Sequence, residues 1–260
     1  MRIGWGGNST MFDVKVKKKI LKHCEKQLDL HNFGQRGVAD GNRQQQMTGI
    51  VGQSVVADLF GLPLVDGSTG PDGGMDILYK DMKIDIKTMG RKVAVKPHYV
   101  NNFMSLQKHF PTDLYLFTSL NKATNVLTII GWTTKQAMMR DADFHKKGQY
   151  RRRDDGSRFR TFSDLFEISN DFLAYVDSFD DLTYQLDLFN ELPWGKSMRF
   201  KVKSGAWVKV DSEDIYHVSR GPENPSVTLR TSTTEAIRLM EKLFGSRTTE
   251  AAESPKSSPR

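Results

Sequence analysis

The chain has 260 residues, 38% of them hydrophobic and 27% charged, with 15 Phe, which is enough to bury a core of ordinary size. No apolar run approaches the roughly 18 residues of a membrane span, and no apolar stretch stands ahead of a cleavage site near the start, so a soluble, cytoplasmic protein without a membrane partner is expected. The single cysteine, Cys24, excludes an internal disulfide framework and a thiolate zinc site, and its charged neighbours mark it as a surface or half-buried thiol. A net charge of +7 and a pI near 9.3 favour polyanionic partners such as nucleic acid, because Lys and Arg release condensed counterions from phosphates.

Through about Gly41 the chain carries a basic run, Lys15 to Lys19, and then a helical pattern around Ile20, Leu21, Cys24 and Leu28. These read as a basic, helical extension over 1–41, with the lysines on a solvated face rather than on a nucleic-acid arm. Met47, Ile50, Val51, Val55 and Leu59 recur at helical spacing until Gly61 and Pro63 supply a stop, which predicts a helix over 42–60. After a Gly-rich connection, two alternating runs, 76–79 and 82–88, flank Lys80-Asp81 and predict a β-hairpin. Strands over 113–119 and 126–132 and a helix over 133–140 follow, and a polar, basic segment, 146–160, leads into an apolar stretch, 165–189, that packs back on the core. The expectation is an α/β core over 42–190, with a mixed central β-sheet flanked by helices. A second hairpin, 198–202 with 207–210, and a helix over 234–244 make a small basic elaboration over 191–245, and 246–260 reads as a disordered tail.

Chemistry concentrates in the first hairpin. If Lys80-Asp81 is a two-residue turn, Tyr79 faces Met82, Ile77 faces Ile84 and Asp76 faces Asp85. Opposed carboxylates with Cβ atoms roughly 5 Å apart repel each other and favour a cation between them. Side chains alternate along a strand, so Ile84 and Ile86 point into a core while Asp85 and Lys87 share the other face with Asp76. Two carboxylates with the remaining positions open to water and phosphate suit Mg²⁺, with Lys87 placed to orient a water and offset phosphate charge. A phosphodiester fits such a site. An Asp-x-Lys tripeptide is common by itself and recurs here as Asp13-Val14-Lys15 and Asp81-Met82-Lys83; Asp76 at the right distance is what distinguishes Asp85-Ile86-Lys87.

The helix with Gly49-Ile50-Val51-Gly52-Gln53, then Gly74-Met75-Asp76, then Ile84-Asp85-Ile86-Lys87-Thr88, resembles the PD-(D/E)XK nuclease superfamily, particularly compact phage and bacterial members. Lys96-Pro97-His98-Tyr99, Gln107, the strand Asp113 to Phe117 and Ile129 to Lys135 follow in the family's order, so the resemblance covers roughly 42–177. It implies a restriction-endonuclease-like core with C-terminal elaborations and a Mg²⁺-dependent DNA endonuclease or resolvase, with Mn²⁺ able to substitute. The site would lie in host-cell cytoplasm if the chain is phage-encoded, and a homodimer is open, since many nucleases of this fold pair two sites. Asp76 and Asp85 correspond to the family's metal-binding acids, Lys87 to its lysine, and the carbonyl of Ile86 is a further metal ligand. Where members often carry Glu on the first core helix this chain has Gln53, which can orient a water but adds no charge. Asp72, in the loop before the hairpin, is an additional candidate ligand that also fits a plain turn.

The DNA-contacting candidates are Lys92, Lys96, Arg151, Arg152, Arg153 and Arg158, the last four in a basic stretch interleaved with Tyr150, Phe159 and Phe162. Lys196, Arg199, Lys201, Lys203 and Lys209, beside Trp207, give the second hairpin the same character, although edge strands also carry lysine against aggregation. The histidines show no metal-binding spacing, and the Gly-rich pieces lack a phosphate-loop ending. Two rival readings stand beside the nuclease: a nucleic-acid-binding protein that keeps the fold with little catalysis, and a basic structural protein whose carboxylate pair is accidental.

Overall fold

The structure, a computed structural model, describes residues 11–34, 41–69, 74–152, 156–191, 198–201, 207–212, 215–219 and 227–230. The chain divides into two compact units, Met1–Thr183 and Tyr184–Arg260. No described helix is long and apolar enough to cross a membrane.

The first unit opens with β1 (Phe12–Lys15), α1 (Lys18–Leu30) and α2 (Arg43–Leu59). Asn42 starts α2 with a reciprocal cap: its side chain accepts from Gln45 N at 2.9 Å, and its own N–H donates to Gln45 Oε1 at 2.8 Å. There follow β2 (Ile77–Tyr79), β3 (Met82–Arg91), β4 (Val100–Met104), β5 (Leu114–Asn121), β6 (Val126–Thr134) and α3 (Lys135–Asp141). Thr134 caps α3 by accepting from Ala137 N at 3.0 Å. The unit continues with β7 (Asp143–His145), β8 (Tyr150–Arg152), β9 (Arg158–Arg160), β10 (Leu165–Ser169) and β11 (Ala174–Tyr175), and α4 (Phe179–Glu191) crosses the division between the units.

The central sheet has the order β1-β6-β5-β3-β2, with β11 also paired to β6. β3 and β5 run parallel and the other neighbours antiparallel, so the sheet is mixed. A register shift between Phe117 and Thr118 lets Ile130 bulge on β6, which adds twist where the sheet curls. Ile84 and Ile86 of β3 and Leu114 and Leu116 of β5 are buried on one face. On that face α2 comes so close that a Cβ on Gly52 would stand 1.8 Å from Thr88 Oγ1, and α1 lays Ile20, Cys24 and Leu28 against α2. The opposite face carries Tyr115, Phe117 and Ile130, packed with Phe103, Ile168, Met138 and Leu173 under a second, three-stranded sheet of order β4-β10-β7.

The helices expected around Ile20 to Leu28, over 42–60 and over 133–140 form, as do the hairpin about Lys80-Asp81, from Ile77 onward, and the strand pair over 113–119 and 126–132. Cys24 corrects its expectation: it is fully buried, its Sγ 3.4 Å from Ser54 Oγ and 3.6 Å from the Ile50 carbonyl, because the charged neighbours Lys22, Glu25 and Lys26 lie off the buried stripe of α1. β1 and α1, set apart by sequence as a basic extension, form an edge strand of the central sheet and a helix packed on α2. The lysine run is a solvated face, with Lys17 and Lys19 both reaching Asp58, at 2.6 and 3.3 Å.

In the second unit β12 (Met198–Lys201), β13 (Trp207–Ser212), β14 (Ile215–Ser219) and β15 (Val227–Arg230) make a four-stranded antiparallel sheet in sequential order. The anticipated hairpin is its first pair, with Arg199 opposite Lys209 and Lys201 opposite Trp207. The expected helix over 234–244 and the tail lie outside the described residues.

Candidate active site

Lys80 and Asp81 both adopt left-handed backbone, at φ 44° and 66°, the geometry of a two-residue turn whose twist matches that of the flanking strands. Such a turn fixes the register: Tyr79 pairs with Met82 and Ile77 with Ile84. The ladder ends there, and the expected opposition of Asp76 to Asp85 does not form as a strand pair. β2 stops at Ile77, and Asp76 continues the edge differently. Its N–H donates to the Ile84 carbonyl at 3.0 Å, and its carboxylate Oδ2 accepts from the Ile86 N–H at 2.6 Å. The side chain therefore lies along the edge of β3, taking the place that a strand carbonyl would fill.

The peptide groups of one strand residue point to the same edge, so the Ile86 carbonyl opens toward the edge that Asp76 occupies. The Ile86 side chain is buried on the α2 face. Asp85 and Lys87 project from the opposite face. Asp85 is only 3% exposed, and Lys87 Nζ stands 2.6 Å from its Oδ2. Across the parallel pairing Asp85 is in register with Tyr115, a fully buried residue of β5. Burial drives the Tyr115 phenol well above its usual range, and the negative charge of Asp85 pushes it further the same way. Its hydroxyl has no hydrogen-bond partner among the described residues. Tyr115 was not foreseen, because the parallel pairing of β3 with β5 is what brings it beside Asp85.

The hairpin thus gathers two carboxylates, a peptide carbonyl and an ammonium group. As a cation site this is an oxygen-rich set with few protein ligands: among the described residues no group of three or more His, Cys, Asp or Glu is placed to hold a metal. Such a set suits a hard ion that keeps several waters, as Mg²⁺ does. Lys87 supplies the positive charge at Asp85 in this structure.

Gln53 sits half-buried on α2, one residue past the Gly52 that touches Thr88. Thr88 faces away from Asp85 and Lys87 by strand alternation, so Gln53 belongs to the layer on the other side of β3. Gly74 has its own structural reason: its φ is +86°, and the Phe110 ring lies where a Cβ would be, at 2.4 Å. Asp72 and Arg153 lie outside the described residues. Lys92 and Lys96 are exposed on the segment between β3 and β4. Arg151 is turned inward, its guanidinium paired with the buried Glu167 of β10, whereas Arg152 and Arg158 are exposed. Glu167 was not foreseen either; a lone Glu in an apolar run carries no sign of its partner. His98 is exposed and meets Tyr99 edge-on, and His145 lies 3.8 Å from Glu167.

Comparison of the chain with protein-family models, with curated proteins and with solved structures finds no match.

Proposed function

We propose that the chain is a divalent-metal-dependent DNA endonuclease or resolvase, with a restriction-endonuclease-like core of the PD-(D/E)XK kind. The observation that carries this reading is the pair of contacts on β3: Asp76 bound to the Ile86 N–H and Lys87 bound to Asp85, 2.6 Å in each case. They support it because one sets Asp76 on the edge of β3 beside the Ile86 peptide and the other sets an ammonium group on Asp85, one residue away along the strand. Asp76, Asp85 and the Ile86 carbonyl would hold Mg²⁺ or Mn²⁺. Such an ion supplies Lewis acidity toward a phosphate oxygen and eases deprotonation of a water. Lys87 orients the attacking water and offsets charge on the phosphate, and the edge of β3 sets the spacing between the two acids. Action in the cytoplasm and assembly as a homodimer are part of the same proposal.

The test is incubation of wild type and Lys87→Ala with supercoiled and branched DNA, with and without Mg²⁺ or Mn²⁺. Metal-dependent cleavage by wild type that disappears in the variant is the expected result, and no cleavage of any substrate in excess metal would overturn the reading. A second reading, a nucleic-acid-binding protein with little catalysis, draws on two observations: Lys87 already balances Asp85, and Gln53, which stands where members often carry Glu, is uncharged and lies in the layer on the other side of β3. Salt-sensitive DNA binding with no nicking would favour it.

A further inference from the structure

We propose that the outer face of the β8–β9 ribbon grips an unpaired nucleic-acid strand. The inference takes its ligand class from the nucleic-acid reading above but not from catalysis. The ribbon pairs Tyr150 with Arg160, Arg151 with Phe159 and Arg152 with Arg158. Side chains alternate across a strand, so these residues divide into two faces of different chemistry. Arg151 and Phe159 form the inner face, both half-buried; Arg151 is paired to the buried Glu167, which in turn sits in register between Asn102 of β4 and Asp143 of β7. Tyr150, Arg160, Arg152 and Arg158 form the outer face, and all four are exposed.

The ribbon is firmly rooted. Thr161 is buried at its base, where its N–H donates to the Gln149 carbonyl at 3.0 Å and its hydroxyl to the Lys146 carbonyl at 2.5 Å, while Gly148 N–H donates to the Thr161 carbonyl at 2.8 Å. Lys147 N–H is held by Asp164 at 2.7 Å. A buried ion pair and a closed base keep the outer face in place without using any of its own charges, so three guanidinium groups are left to meet an external anion.

The aromatic groups select among polyanions. Tyr150 is 62% exposed with the Arg160 guanidinium 4.4 Å from its ring centre, and Phe162, two residues beyond Arg160, is 87% exposed. An exposed Phe contributes nothing to a phosphate, but it offers a stacking face for a base, and bases offer their faces only where a strand is unpaired. Guanidinium groups beside exposed rings are the combination that binds single strands: charge follows the backbone and rings take the bases.

The experiment is fluorescence anisotropy with a labelled oligothymidine and with a blunt duplex of equal length, in EDTA across a salt series. Wild type should bind the single strand in preference to the duplex. Arg158→Ala/Arg160→Ala should weaken binding at least ten-fold and reduce the slope of log K on log salt by about 1.4, two contacts at roughly 0.7 each. Phe162→Ala should weaken single-strand binding about ten-fold and leave that slope unchanged. Equal binding of strand and duplex, or wild-type affinity in either variant, overturns the proposal. Because EDTA removes cleavage from the measurement, the two readings fail separately: ribbon variants that lose binding in a protein that never cuts would leave the ribbon standing and the nuclease fallen, and a cutting enzyme with unaltered variants would do the reverse.

Discussion

Lys87 Nζ lies 2.6 Å from Asp85 Oδ2, with the two side chains 14% and 4% exposed. A largely buried pair of this kind is costly to break from one side, because the remaining charge keeps its desolvation penalty. Lys87→Ala should therefore lose about 3 kcal/mol of stability, and Asp85→Asn/Lys87→Met should recover much of that loss. Urea unfolding of the two variants and the wild type gives the comparison. A double variant less stable than Lys87→Ala would show that the pair is not coupled. In the cleavage assay both variants should fall by about two orders of magnitude or more, the usual scale for losing a group that stabilises developing charge.

Asp76 does two tasks that one substitution can separate. Its carboxylate accepts from the Ile86 N–H at 2.6 Å, and it is one of the two acids proposed to hold the cation. Asp76→Asn retains an acceptor for the N–H, so it should fold with a loss of about 1 kcal/mol. Thermal melts with increasing Mn²⁺ should show a stabilised wild type and an unresponsive variant. Equal metal stabilisation of both would remove Asp76 from the site.

Gly52 sets two effects against each other. Alanine is favoured over glycine in a helix interior by about 1 kcal/mol. Here, however, the new Cβ would stand 1.8 Å from Thr88 Oγ1 and 2.8 Å from its Cβ. Overpacking of a close contact costs about 1–3 kcal/mol, so the clash should win and Gly52→Ala should be destabilising in equilibrium unfolding. A Gly52→Ala/Thr88→Ser variant removes the Thr88 methyl that the new Cβ would approach to 2.8 Å and should restore part of the loss. A Gly52→Ala protein more stable than wild type would mean that α2 rides farther from β3.

The hairpin was legible because its information is local. Two turn residues and strict alternation fix a register, which pairs Tyr79 with Met82 and Ile77 with Ile84. Helices were legible from spacing for the same reason, as α2 shows with Ile50, Val51 and Val55 buried. What escaped depends on partners distant in sequence. Phe12 to Lys15 form too short a run to announce a strand, and they become one only by pairing with β6, more than a hundred residues on. The side-chain route by which Asp76 reaches the Ile86 N–H arises because β2 ends at Ile77, which composition does not reveal. Arg151 looked like its neighbours Arg152 and Arg153 until β8 turned it toward Glu167.

Burial of Cys24 and Tyr115 sets the alkaline limit of the fold. Desolvation raises the Cys24 thiol above its ordinary value of 9.0, against the lowering effect of its bond to Ser54, and burial with the nearby Asp85 charge raises Tyr115 above 10.0. In both groups the charged form is the deprotonated one. The unfolded chain releases these protons at the ordinary values while the folded chain retains them, so both contributions are complete below about pH 9 and decline as the pH rises beyond it. Urea midpoints should fall between about pH 9 and 11, and Tyr115→Phe should flatten the upper part of that decline. The same burial should leave Cys24 unreactive toward an aromatic disulfide reagent at pH 8 until denaturant is added. Prompt labelling of the native protein would place α1 off α2 and remove the thiol from the core.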